Sequence, residues 1–182
     1  MVGGGPVERR EQLVEAAFRR VAEVGFEGLR LRQVAEDVGI DHSTLHHHFA
    51  TKQDLIRAVT AFTTRQFWTT SPGGADPAAA LRAHLGALRR LIAERPDLLV
   101  VTAELDLRAR RDPDVAAELA DQETGWRAAL TSLLTAGNTA GTWTVDPTAG
   151  AELVIAAVKG VRLTPAAAGQ VFGQLEALLL GP

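Results

Sequence analysis

One stretch constrains this chain more than any other: Leu31 to Phe49, reading LRQVAEDVGIDHSTLHHHF. Val34 and Ala35 are small and apolar, and Val38 returns to the same helical face four residues after Val34. Gly39 supplies a stop, because glycine takes the left-handed conformation at a helix end without steric cost. Ile40 is an apolar plug for the turn. Asp41 suits the N-cap of a second helix, where its carboxylate accepts from unpaired backbone N–H groups. Leu45 and Phe49, four apart, bury one side of that helix. The other side is left to His42, Ser43, Thr44, His46 and His47, short or planar groups able to reach a groove floor. The pattern predicts a helix-turn-helix whose second helix lies against double-stranded DNA.

The rest of the sequence has helical spacing only, with no strand-like alternation, repeat or low-complexity block. A first helix is expected from Val7 to Val24, with Val14, Ala17, Phe18 and Val21 on one face and Gly25 ending it. Thr51 caps a fourth helix carrying Leu55, Val59, Phe62, Phe67 and Trp68. Ser71 to Ala75 is the plainest loop. Asp76-Pro77, Asp112-Pro113 and Asp146-Pro147 each pair a cap with a proline in the first helical position. They open the fifth, seventh and eighth helices, the seventh ending near Gly137. Pro96 precedes the sixth, and Pro165 stands near the start of the ninth. The expected fold class is therefore all-α with about nine helices. A three-helix head with the helix-turn-helix spans residues 1–54, and a larger bundle for ligand binding and dimerisation spans 55–182. Leu153 to Val158 is apolar all round, which suits a helix central to a bundle or covered by a partner.

Composition narrows the function. The 182 residues are 46% hydrophobic, enough to bury a core. There is no cysteine, hence no disulfide, thiolate ligand or cysteine nucleophile. No apolar run reaches the ~18–20 residues of a membrane span. MVGGGPVERR lacks a signal-peptide core, so a cytoplasmic protein is expected. Catalytic motifs for nucleotide, zinc-protease or serine-hydrolase chemistry are missing, and Glu104 and Asp106 point to different sides of a helix. Neither an enzyme nor a cofactor is expected. The four histidines at 42, 46, 47 and 48 suggest a metal, but helical neighbours point ~100° apart and no third ligand joins His42 and His46. No metal site is expected either.

Net charge is −3, against the usual basic character of a DNA-binding domain. Residues 1–54 hold seven Lys/Arg (9, 10, 19, 20, 30, 32, 52) and nine Asp/Glu (8, 11, 15, 23, 27, 36, 37, 41, 54). Placement must then outweigh the sum, with Arg30, Arg32 and Lys52 flanking the reading helix and few phosphates neutralised.

A longer run closely resembles the DNA-binding end of the tetracycline-repressor (TetR) family of transcriptional regulators. It comprises Ala16-Ala17-Phe18, Gly25-Phe26-Glu27-Gly28, Val34-Ala35, Gly39-Ile40, Thr44-Leu45, His48-Phe49, Lys52 and Leu55. Two positions depart from the family. Leu29 and Arg30 stand where a Thr or Ser usually caps the second helix, and His46 stands where a tyrosine commonly touches a phosphate. Both bear on operator affinity rather than on fold.

The resemblance implies a repressor that pairs through its last two helices and reads a palindromic operator with two heads. It also implies a small-molecule pocket among the middle helices whose occupancy changes the spacing of those heads. On this reading Arg30, Arg32, His42, Ser43, Thr44, His46, His47 and Lys52 are candidate DNA contacts, His47 leading for base readout. Lys52 opposes its helix dipole, which a phosphate partner would explain. Gln66, Phe67, His84, Thr102 and Trp126 are candidate effector contacts, with Trp143 and Lys159 beside them. The lack of tyrosine and the supply of Leu, Val, Trp and Phe suggest an apolar or aromatic effector. A helical protein-interaction module would explain the bundle but not the chemistry from Asp41 to Lys52.

Overall fold

The computed structural model describes residues 6–68 and 76–180, so the loop expected at Ser71 to Ala75 lies outside the described residues. Among the described residues there are nine α-helices, one 3-10 turn and no strand. The all-helical expectation holds. The helices are α1 (Pro6–Gly28), α2 (Leu31–Val38), α3 (His42–His48), α4 (Lys52–Trp68) and α5 (Pro77–Glu94). They continue with α6 (Pro96–Ala109), α7 (Pro113–Thr139), α8 (Pro147–Leu163) and α9 (Ala168–Leu180), the 3-10 turn Pro165–Ala167 preceding the last. None is long and apolar enough to cross a membrane.

The local start signals act as read. Asp76 accepts from the Ala78 N–H at 3.0 Å and Asp146 from the Ala149 N–H at 2.8 Å, with a proline opening each helix. The seventh helix, expected to end near Gly137, runs on to Thr139. Gly137 is helical and serves packing instead: a Cβ there would lie 2.0 Å from the indole of Trp143. The left-handed residue is Gly141, at φ 70. Trp143 is itself core, buried with its indole N–H donating to the Leu134 carbonyl at 2.9 Å.

The chain divides into two compact units, residues 1–65 with 100–119 and residues 66–99 with 120–182. The head expected over 1–54 is thus the larger part of a unit that also takes in most of α4 and α6 and the start of α7. In the first unit the buried residues include Val14, Ala17, Phe18, Val21, Val34, Ala35, Leu45, Phe49, Leu55 and Val59. The rings of Phe18 and Phe62 meet edge to face at 5.3 Å. In the second unit, Leu81, Leu85, Leu88 and Ile92 of α5 share a core with Leu130 and Leu134 of α7, Val154, Ile155 and Val158 of α8, and Phe172, Leu175 and Leu179 of α9. The stretch Leu153 to Val158 is therefore core on one side only, and Leu153 is 43% exposed.

Candidate nucleic-acid interface

The turn between α2 and α3 forms for the reasons legible in its residues. Gly39 is left-handed (φ 72, ψ 34), and the N–H groups of Gly39 and Ile40 return to the Glu36 and Ala35 carbonyls at 3.1 and 3.0 Å. Asp41 then caps α3. Its carboxylate accepts from the Ser43 hydroxyl at 2.6 Å, the Thr44 N–H at 2.7 Å and the Thr44 hydroxyl at 3.0 Å. These bonds, the Ser43 one foremost, hold the Asp41 carboxyl well below the usual carboxylate range. Leu45 and Phe49 are buried and fix the inner side of α3.

His42, Ser43, His46 and His47 are exposed on the outer side, and Thr44 is half-buried. The rings of His42 and His46 meet nearly at right angles, centroids 4.5 Å apart, and His46 Nδ1 lies 3.3 Å from the Ala50 carbonyl oxygen. No group of three or more metal-ligating side chains occurs among the described residues.

The three flanking cations behave differently from one another. Arg32 pairs with Glu36 one turn on, at 2.9 Å. Arg30 donates to the carbonyls of Glu27 and Leu29 at 2.6 and 3.3 Å, and α2 starts without a side-chain cap, as its Leu29-Arg30 start suggests. Lys52 donates to the Phe26 carbonyl at 2.9 Å, and burial pushes its ammonium below the usual range.

Phe26 is held on three sides. Gly25 before it has φ 67 and ψ 175, a conformation essentially restricted to glycine. The Phe26 N–H donates to Glu104 Oε2 at 3.2 Å, and a Cβ on Gly25 would stand 2.9 Å from that oxygen. The Arg108 guanidinium lies 5.4 Å from the centre of the Phe26 ring. Arg108 also donates to Asp112 at 3.0 Å and to Gln53 at 3.1 Å, while Gln53 donates to Asp112 at 2.8 Å. The end of α6 thereby grips both the last residues of α1, beyond its kink at Gly25, and the first residues of α4. Sequence reasoning missed Glu104 and Arg108, because nothing local marks a contact made across 78 residues.

Two further residues were missed. Arg9 donates to the Val38 carbonyl at 3.3 Å and to Gln12 at 3.0 Å, and the Arg10 guanidinium lies 4.7 Å from the centre of the Phe49 ring. In sequence they are two more charges on an amphipathic helix.

Of the effector candidates, His84 is buried, and Trp126 donates its indole N–H to His84 Nε2 at 3.0 Å. Phe67 packs against the same core, with the Arg162 guanidinium 5.8 Å from its ring centre, and Gln66 is half-buried. Thr102 belongs to the first unit, where it is buried. Lys159 forms an ion pair with Glu123, which also binds Arg127.

The family described as Bacterial regulatory proteins, tetR family, matches residues 13–59, from the buried face of α1 through α3 into α4. The chain is thus similar, over residues 13–59, to the tetR-family DNA-binding segment. Among its relatives, the HTH-type transcriptional repressor AcnR of Corynebacterium efficiens is 29% identical over 124 residues, 66% of this chain and 61% of AcnR. The chain thus spans a little under two thirds of that relative. The fold is shared with a TetR transcription regulator of Haloarcula marismortui, at a TM-score of 0.86, 21% identity and coverage of 96% and 97% of the two chains. It is shared too with AibR in a complex with isovaleryl coenzyme A and operator DNA, at 0.74, 21% identity and coverage of 96% and 99%. In this tetR-like head, α3 is the second helix of the helix-turn-helix, and its exposed face carries the polar residues expected of it.

Proposed function

We propose that this protein is a transcriptional regulator rather than an enzyme, acting in the cytoplasm as a homodimer that represses from a palindromic operator. The observation that carries the reading is α3, a capped helix anchored by Leu45 and Phe49 with polar groups outward, inside the tetR-family segment. The repressor name of AcnR supports it, as does the operator complex of AibR. The Ser43 and Thr44 hydroxyl protons are committed to Asp41, so their oxygens remain as acceptors. That suits the amino groups of adenine or cytosine in the major groove. His47, exposed on the same helix, supplies a donor or an acceptor.

A two-fold dimer presents two such helices one helical turn of DNA apart, about 34 Å. Its surface is the outer side of α8 and α9, where Leu153, Leu163 and Leu178 are exposed. A Cβ added to Gly160 or Gly173 there would meet nothing within 4 Å. The effector is an apolar or aromatic small molecule taken up beside the Trp126–His84 pair. It releases DNA only insofar as it binds the DNA-incompetent conformation more tightly.

Selection of genomic fragments by the purified protein tests the reading, beside the Thr44→Ala/His47→Ala variant. Wild type recovers a short palindrome and the variant does not. A folded protein that enriches nothing at low salt rules the reading out.

A further inference from the structure

A head with more acids than bases has to meet a polyanion with the cations that its own carboxylates leave available. Arg20 is taken by Asp37, at 2.6 and 2.7 Å. Arg32 is taken by Glu36 at 2.9 Å, and Arg57 lies 3.6 and 3.4 Å from Asp54 and Asp114. Arg9 and Arg10 stand apart from these: among the described residues neither forms an ion pair with a carboxylate. Each is instead fastened to the frame of the reading helix. Val38, whose carbonyl accepts from Arg9, is the last residue of α2 before the turn. Phe49, whose ring lies under Arg10, is the C-cap of α3. The two guanidinium groups therefore mark the two ends of the turn-plus-α3 unit. Arg10 is exposed and Arg9 half-exposed.

We propose that Arg9 and Arg10 are phosphate contacts, gripping the DNA backbone beside the groove that α3 enters. This rests on the DNA-binding reading above. Stacking on Phe49 suits the role, because a guanidinium can lie flat on a ring and still offer in-plane N–H donors at its edge. The single bond from Arg9 to a main-chain carbonyl likewise leaves donors to spare. Arg32, paired with Glu36 one turn on, is expected to add little to the slope beside them.

Phosphate contacts are read by salt, not by sequence. Each phosphate neutralised adds about −0.9 to the slope of log Kobs against log salt concentration. The experiment is a salt titration of binding to a random-sequence duplex, using the full chain, with helicity and melting followed by circular dichroism. The Arg9→Gln/Arg10→Gln variant should weaken binding and flatten the slope by about two per bound head. Arg9→Gln alone, which leaves the Phe49 stack in place, should flatten it by about one. Arg10→Lys, keeping charge, should retain the slope, and Arg32→Gln should leave it unchanged. Wild-type slopes in both glutamine variants, or a loss with Arg32→Gln as large as theirs, would overturn the proposal while leaving DNA binding intact. A wild-type protein that binds no duplex at low salt would remove the DNA-binding reading and this one with it.

Discussion

At the scale of single residues, two positions decide whether the reading helix is presented at all. Asp41 is one. Its carboxyl is held below the usual range by Ser43 and Thr44, so its contribution to folding is present above the unfolded carboxylate value, about 3.9, and fades as pH falls through the lower folded value. Asp41→Ala should therefore lower the melting temperature at pH 7, and the gap to wild type should persist through mild acid and close only in strong acid. Melting curves recorded across that range check it, and a gap that closes well above the carboxylate range contradicts the cap. Gly25 is the other. Its φ is 67, and a Cβ added there would stand 2.9 Å from Glu104 Oε2, so Gly25→Ala should cost about 1–3 kcal/mol in urea denaturation. The two positions differ in how openly the sequence shows them. Asp41 acts on atoms two and three residues away, so its type and spacing suffice to predict it. Gly25 reads as a helix end, whereas it is a kink within α1, which runs on to Gly28, and half the reason it must be glycine is a carboxylate on α6.

At the scale of elements, the contact from α6 to the kinked end of α1 gives Lys52 a structural role beside the phosphate contact expected of it. Its place at a helix start suggests a phosphate partner, whereas its ammonium donates to the Phe26 carbonyl while Glu104 accepts from the Phe26 N–H. Lys52→Ala should then destabilise the head by about 1.5 kcal/mol, the low end for a hydrogen bond from a charged group because the residue is only half-buried. Denaturation in the absence of DNA separates the roles: a pure phosphate contact would leave stability untouched and weaken only binding. The starts of α5, α7 and α8 are legible because an Asp-Pro pair is a local device. The packing role of Gly137 is not, because it is dictated by the indole of Trp143 lying against it. The union of residues 100–119 with the head is equally silent, being built from Glu104, Arg108 and Asp112 on elements far along the chain.

At the scale of the whole molecule, the question is what covers α8 and α9. The apolar run from Leu153 to Val158 fits a buried helix and a partnered one alike, and the structure buries one side of it and leaves the other exposed. Val154, Ile155 and Val158 enter the core of their own unit, while Leu153 faces outward with Leu163, and Leu178 is exposed on α9. No sequence rule could make that division, since it depends on where α5 and α9 pack. An outward leucine costs little singly, but several beside glycines open to close approach suit a second copy of the chain. Leu153→Glu/Leu178→Glu should then give a monomer by sedimentation. The inward core is untouched, so helicity should remain. Operator binding should fall by about 10²-fold or more, because the second head loses its tethered advantage. A variant that stays dimeric, with wild-type affinity, would move the interface elsewhere. A monomer that still binds at full strength would mean one head suffices, and the palindrome expected of the operator would have no partner symmetry to answer.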